Sequence, residues 1–203
     1  WLVEDKDKEV VLKNIIRYPR FASIAVQRGW GKEAKKDIFN VLETNSNGSW
    51  ELMRNIGPII ETPEDRERVI QVYINGSNTG ELFNTIKAFS GIDLAKINNE
   101  AWERHQYDQP WSRLQYATRA ADTGNLKALE AIIQGFGQNR NGFIHNESAA
   151  TLMRLTRQPL NFDRLMKWFE ENKDNLYFDK EQRRFLVRKK AEKPAPALAP
   201  AQK

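Results

Sequence analysis

The chain predicts an all-α fold, an irregular multi-helix bundle or a set of stacked helical hairpins, with a basic, Pro/Ala-rich C-terminal extension. Three observations carry that expectation. Apolar residues recur at three- and four-residue spacings, as in Phe162, Leu165, Met166 and Phe169, which places them on one helical face. Asn, Gly and Pro punctuate these stretches closely enough to leave little room for a sheet. From Lys193 the pattern stops, and Lys-Pro-Ala-Pro-Ala-Leu-Ala-Pro-Ala-Gln-Lys forbids a regular helix and favours an extended spacer.

Taken in order, Glu4 to Tyr18 carries Val10, Val11, Ile15 and Ile16 and stops before Pro19, because a pre-proline residue is pushed out of the helical region. Lys32 to Glu43 places Ala34, Ile38, Val41 and Leu42 on one face. After the turn Thr44 to Gly48, Ser49 reads as the N-cap of a helix holding Trp50, Met53 and Ile56. Thr62-Pro63-Glu64-Asp65 is the strongest start signal: a capping hydroxyl, a proline where no N–H is needed, and two carboxylates beside the orphan amides. Val69 to Ile74 has strand propensity, but the cap before it favours helix. Asn75 to Gly80 ends that helix, and Leu82 to Phe89 and Asp93 to His105 follow.

Trp111 to Ala121, Asn125 to Phe136, Glu147 to Arg157 and Phe162 to Asn172 complete the helical body, with Asn161 capping the last. Asp179 is expected to cap one more helix, carrying Phe185 and Leu186. The stretch Ala120 to Ile133 resembles the inner part of an ankyrin-type helix pair, over about fourteen residues and without that family's Thr-Pro-Leu-His turn. The resemblance implies only two helices separated at Gly124-Asn125. The expected organisation is a helical domain over 1–178, a basic helix or arm over 179–193, and an extended tail over 194–203.

Charge is distributed unevenly along the chain. The formal net charge is +5 over 203 residues. Lys180 to Lys203 holds eight Lys or Arg against two Glu, a balance of +6, which leaves −1 for the residues before it. The body is near neutral and the end is cationic. That excludes a generally basic binding surface and directs attention to Arg183, Arg184, Arg188, Lys189, Lys190 and Lys193, whose field draws an acidic partner.

Composition removes several classes of chemistry. With no cysteine there is no disulfide framework, thiolate nucleophile or cysteine-ligated metal, and a reducing compartment is compatible. The apolar runs are far shorter than the roughly 20 residues that span a bilayer, so a soluble chain without a membrane anchor is expected. It begins at Trp1 rather than Met and reads as a processed product or an excised fragment. HExxH, P-loop, GxSxG and GxGxxG patterns do not occur, and no cofactor or metal is implied.

His105 and His145 are the only histidines and, if brought together, offer an acid and a base for a small metal-independent hydrolase. Glu43 and Glu51 are the carboxylates considered for a general acid. The loop Gly135 to Gly142, with Asn139, Arg140 and Asn141, has the flexibility and donors to wrap an anion. Arg17, Arg20, Arg28, Lys32, Lys35 and Lys36, interleaved with Tyr18, Phe21 and Trp30, fit a mode in which aromatics stack bases and cations neutralise phosphates. The favoured expectation is a non-enzymatic structural or interaction subunit of a larger, nucleoprotein-like assembly, its basic arm on an acidic protein or nucleic acid. Direct RNA or DNA binding is the second reading.

Overall fold

The computed structural model describes residues 4–44, 50–76, 80–138 and 142–188. Among them are eleven α-helices: α1 Lys8–Lys13, α2 Arg20–Gln27, α3 Lys35–Thr44, α4 Trp50–Asn55, α5 Pro63–Asn75, α6 Leu82–Lys87, α7 Leu94–His105, α8 Pro110–Ala121, α9 Leu126–Gln138, α10 Phe143–Thr156 and α11 Phe162–Asn172. A two-stranded antiparallel hairpin, β1 Leu176–Asp179 with β2 Arg184–Val187, closes the described chain. The architecture is a mostly helical bundle, and none of its helices is long and apolar enough to cross a membrane.

The helix starts follow local chemistry. At α5, Thr62 Oγ1 accepts from the Asp65 amide at 3.1 Å while the Asp65 carboxylate accepts from the Thr62 amide at 2.9 Å, the reciprocal cap anticipated from sequence. Asp93 accepts from the Lys96 amide at 3.1 Å to start α7, and Asn161 accepts from the Arg164 amide at 3.0 Å to start α11. Val69 to Ile74 is helical, so the cap outweighs β-branched propensity there. Ser49 lies outside the described residues. Helix α2 was not anticipated; it starts directly after Pro19 and buries Ala22, Ser23, Ala25 and Val26.

Sequential neighbours stack on one another: α7 on α8, α8 on α9 and α9 on α10, with α11 also on α9 and α5 on α7. One hydrophobic core runs from Val11 to Phe185 and includes Ile38, Leu52, Tyr73, Leu129, Leu152 and Phe169. Residues 122–125 turn the chain between α8 and α9, where Gly124 adopts φ +101° and a side chain would meet Phe178 Cβ at 3.1 Å. Glycine is required there for both reasons.

The largest correction concerns the C-terminal end. Residues 179–188 are a hairpin strand and its turn, not a basic helix. Phe185, 2% exposed, packs into the same core as the helices, and β2 lies against α10. The Asp179 signal was real but serves a turn: its Oδ1 accepts from the Gln182 amide at 2.8 Å, and Arg183 then takes φ 50°, which reverses the chain. The body therefore extends through Arg188, and 189–203 lie outside the described residues.

Candidate functional site

The hairpin positions the first part of the predicted basic cluster. Its register pairs Leu176 with Val187, Tyr177 with Leu186, Phe178 with Phe185 and Asp179 with Arg184. Opposed residues in an antiparallel pair share a face, so Leu176, Phe178, Phe185 and Val187 lie on one side. That side anchors the ribbon: Leu176 and Phe185 are buried, and the Phe178 and Phe185 rings meet edge-on at 5.2 Å. The opposite face carries Tyr177, Asp179, Arg184 and Leu186, all half-buried, and it continues to the exposed Arg188.

Two of the three arginines are held by neighbours on the ribbon. The Arg188 guanidinium lies 5.6 Å from the centroid of the Tyr177 ring, in cation–π range. Arg184 donates from Nη2 to Gln182 Oε1, and its buried Nε has no hydrogen-bond partner among the described residues. Arg183 is exposed at the tip of the turn. Among the described residues none of the three makes an ion pair. Lys189, Lys190 and Lys193, which continue this cluster in sequence, lie outside the described residues. Tyr177 is the member missed from the sequence, because its partner Arg188 becomes a neighbour only through strand pairing.

The second basic cluster is treated differently by the fold. Lys32 Nζ lies 2.5 Å from Glu61, and Lys35 Nζ lies 2.5 Å from Asp65 and 3.5 Å from Glu61. The Asp65 side chain, 8% exposed, also accepts from the backbone N–H groups of Glu61 and Thr62, each at 2.9 Å. Burial alone would raise its pKa, but the Lys35 hydrogen bond, the two amides and the Lys35 charge outweigh that and hold it at about 2. Lys35 is raised by the same pairing, and Glu61 is lowered chiefly by its hydrogen bond from Lys32. Two of the six predicted cations therefore lock the start of α3 to the start of α5.

Arg17, Arg20, Arg28 and Lys36 are exposed, and the Arg17 guanidinium lies 5.4 Å from the centroid of Tyr18. Tyr18, 47% exposed, stacks at a tilt on Phe21 with 5.5 Å between centroids. Trp30 is only 7% exposed and belongs to the core. It cannot present a face to a base, which corrects its assignment as a stacking residue. Gly29, at φ +76°, turns the chain there, and the indole folds inward.

The candidate catalytic groups stay apart. His105 is buried at the end of α7, with Nδ1 2.8 Å from Asp108 Oδ2 and Nε2 2.9 Å from the Ile74 carbonyl, and its ring stacks on Tyr116 at 4.3 Å. Ser112 Oγ donates to the same Asp108 oxygen at 3.2 Å. His145 stacks on Phe136 at 4.5 Å and bonds the Phe136 carbonyl through Nδ1 at 3.2 Å. The two imidazoles share no partner, and each ring is fixed against its own part of the helical body. Glu43 accepts from Arg68 Nε at 2.6 Å beside a cavity of about 460 Å³ that Glu67, Gln71 and Asn75 also line. Among the described residues no three His, Asp or Glu side chains form a group able to hold a metal ion.

The expected anion loop is shorter than it reads. Gly135 and Gly137 are inside α9, and α10 starts directly after Gly142 rather than at Glu147. Arg140 and its two flanking asparagines lie outside the described residues. Comparison of the chain with protein-family models, with curated proteins and with solved structures returns no match.

Proposed function

We propose that this chain is a non-enzymatic interaction subunit of a larger assembly, binding an acidic partner through the basic segment that starts on the β1–β2 ribbon. One contrast supports the reading. Lys32 and Lys35 are consumed by Glu61 and Asp65, whereas Arg183, Arg184 and Arg188 make no ion pair among the described residues, although Asp179 stands opposite Arg184 in the ladder, and they sit on an anchored ribbon. Arg184 and Arg188, held against Gln182 and Tyr177, lose less side-chain freedom on binding than free arginines, and the charge of all three steers encounter with an acidic surface. In sequence Lys189, Lys190 and Lys193 add to the same field. The helical body sets geometry, and the cationic segment supplies attraction.

The hairpin also determines how this is tested. Cutting the chain at Lys180 removes Phe185 from the core, so loss of binding would report misfolding. The suitable forms are the full chain, a chain ending at Arg188, and R183Q/R184Q/R188Q. They are titrated against an acidic protein domain, single-stranded RNA and duplex DNA at several salt concentrations. The reading expects the triple variant to lose most affinity for the acidic partner, while Gln substitutions at Arg17, Arg20 and Lys36 change little. The reverse ranking, with binding to RNA or DNA, would establish direct nucleic-acid binding by the α1–α3 surface instead.

A further inference from the structure

Between the last turn of α3 and the outer face of α5 lies the cavity of about 460 Å³ that Glu43 borders, a size at which small molecules are held. Val72 is its apolar contribution, and polar side chains supply most of the rest. Three of them stand at four-residue spacing along α5, one turn above another. Gln71 Nε2 donates to Glu67 Oε1 at 2.9 Å, and Asn75 Nδ2 donates to Gln71 Oε1 at 3.1 Å. Helix α7 pins the end of this row, where Arg104 Nη1 donates to Asn75 Oδ1 at 2.6 Å. Beside it, the Arg68 guanidinium is fixed by Glu43 Oε1, 2.6 Å from its Nε, and by the Phe39 ring, 4.3 Å away at the centroid. The polar wall is therefore oriented before any ligand arrives.

The capacity this wall leaves over defines what it can hold. One N–H each of Gln71 and Asn75 and the terminal N–H groups of Arg68 remain as donors, and the second carboxylate oxygens of Glu43 and Glu67 remain as acceptors. None of these makes a hydrogen bond to another described residue. Glu43 and Glu67 balance Arg68 and Arg104, so neither an anion nor a cation meets a net field. An apolar ligand would strip water from these groups and return no hydrogen bond. A hydroxyl both donates and accepts at one atom, so it fits between a carboxylate oxygen and an amide N–H. Two hydroxyls on neighbouring carbons match the two-atom edge of a carboxylate, carboxamide or guanidinium.

We propose that the α3–α5 cavity is a binding site for a neutral polyhydroxylated ligand, a sugar, with Glu67, Gln71 and Asn75 reading successive hydroxyls and Arg68 and Glu43 holding a further pair. The site is separate from the basic hairpin and does not depend on the acidic-partner reading.

The test uses the full chain, isotope-labelled and titrated with glucose, N-acetylglucosamine, myo-inositol and maltotriose, while the side-chain N–H signals of Gln71, Asn75 and Arg68 are followed by NMR. At least one of these probes is expected to bind saturably with a Kd of about 1 mM, ordinary for a ligand of roughly a dozen heavy atoms. Raising the salt concentration should change that binding little. Gln71→Leu and Asn75→Leu, at exposed positions, are each expected to weaken it about fivefold to tenfold with nearly unchanged urea midpoints. Spermidine, sodium sulfate and N-acetyl-triglycine amide, which supply a cation, an anion and a neutral amide without hydroxyls, are expected to leave the signals unmoved.

Absence of saturable shifts with all four polyols overturns the proposal. Binding of spermidine, sulfate or the peptide amide at comparable strength overturns it as well, and so does sugar binding that both variants leave unchanged.

Discussion

Lys35 reaches across from the first turn of α3 to put its ammonium 2.5 Å from the Asp65 carboxylate at the first turn of α5. The pair ties two helix starts together and joins the capping box of α5 to the core. Asp65 is held at about 2 in the folded state, against an ordinary carboxylate value of 3.8 when unfolded. A depressed folded pKa means the stabilisation is fully present above the unfolded value and is lost as pH falls through the folded one. The shift corresponds to about 2 kcal/mol. Urea unfolding between pH 6 and 2 is expected to show that loss in the pH 4 to 2 window, and Asp65→Asn is expected to remove that component while lowering stability at pH 6.

Phe185→Ala removes the buried side chain that anchors β2. A loss of about 3–5 kcal/mol is expected, as for other buried Phe truncations. Amide exchange should accelerate first at Tyr177 and Leu186, whose ladder bonds depend on the hairpin. If 179–188 were an independent arm, the substitution would leave global stability unchanged.

Two arginines hold left-handed backbone: Arg157 at φ 56°, ending α10, and Arg183 at φ 50°, in the hairpin turn. A side chain in that region costs about 1 kcal/mol relative to glycine. Arg157→Gly is therefore expected to raise the melting temperature by a few degrees. Arg183→Gly should do the same while weakening binding to an acidic partner, separating stability from recognition at one residue.

His105 reads as structural. His105→Phe keeps a ring against Tyr116 but leaves the buried Ile74 carbonyl without its donor, at a cost of about 1–3 kcal/mol. Denaturant titration is expected to show that loss; an unchanged midpoint would contradict the structural role.

The helices were legible because their signals are local. The Thr62-Pro63-Glu64-Asp65 cap and the Asn161 cap need only neighbouring residues, and both are in place. The hairpin was not legible because its evidence is relational. Phe185-Leu186-Val187 is too short a run to show a period, and Asp179 offers the same oxygen to an amide three residues on whether a helix or a turn follows. The α1–α3 cations were legible as charges but not as ion pairs, since Glu61 and Asp65 lie some thirty residues along the chain from Lys32 and Lys35. Trp30 failed for a similar reason: flanking glycines mark a turn without saying which way the indole points.

We propose that arginines on the hairpin, and not the α1–α3 surface, carry recognition of an acidic partner. The salt dependence of binding tests it most directly, measured for the full chain, for R183Q/R184Q/R188Q, and for the chain with Arg17, Arg20 and Lys36 changed to Gln. A shallower slope and weaker binding are expected for the hairpin variant alone, with its fold intact by circular dichroism. An unchanged slope in that variant, with loss in the α1–α3 variant, would contradict it.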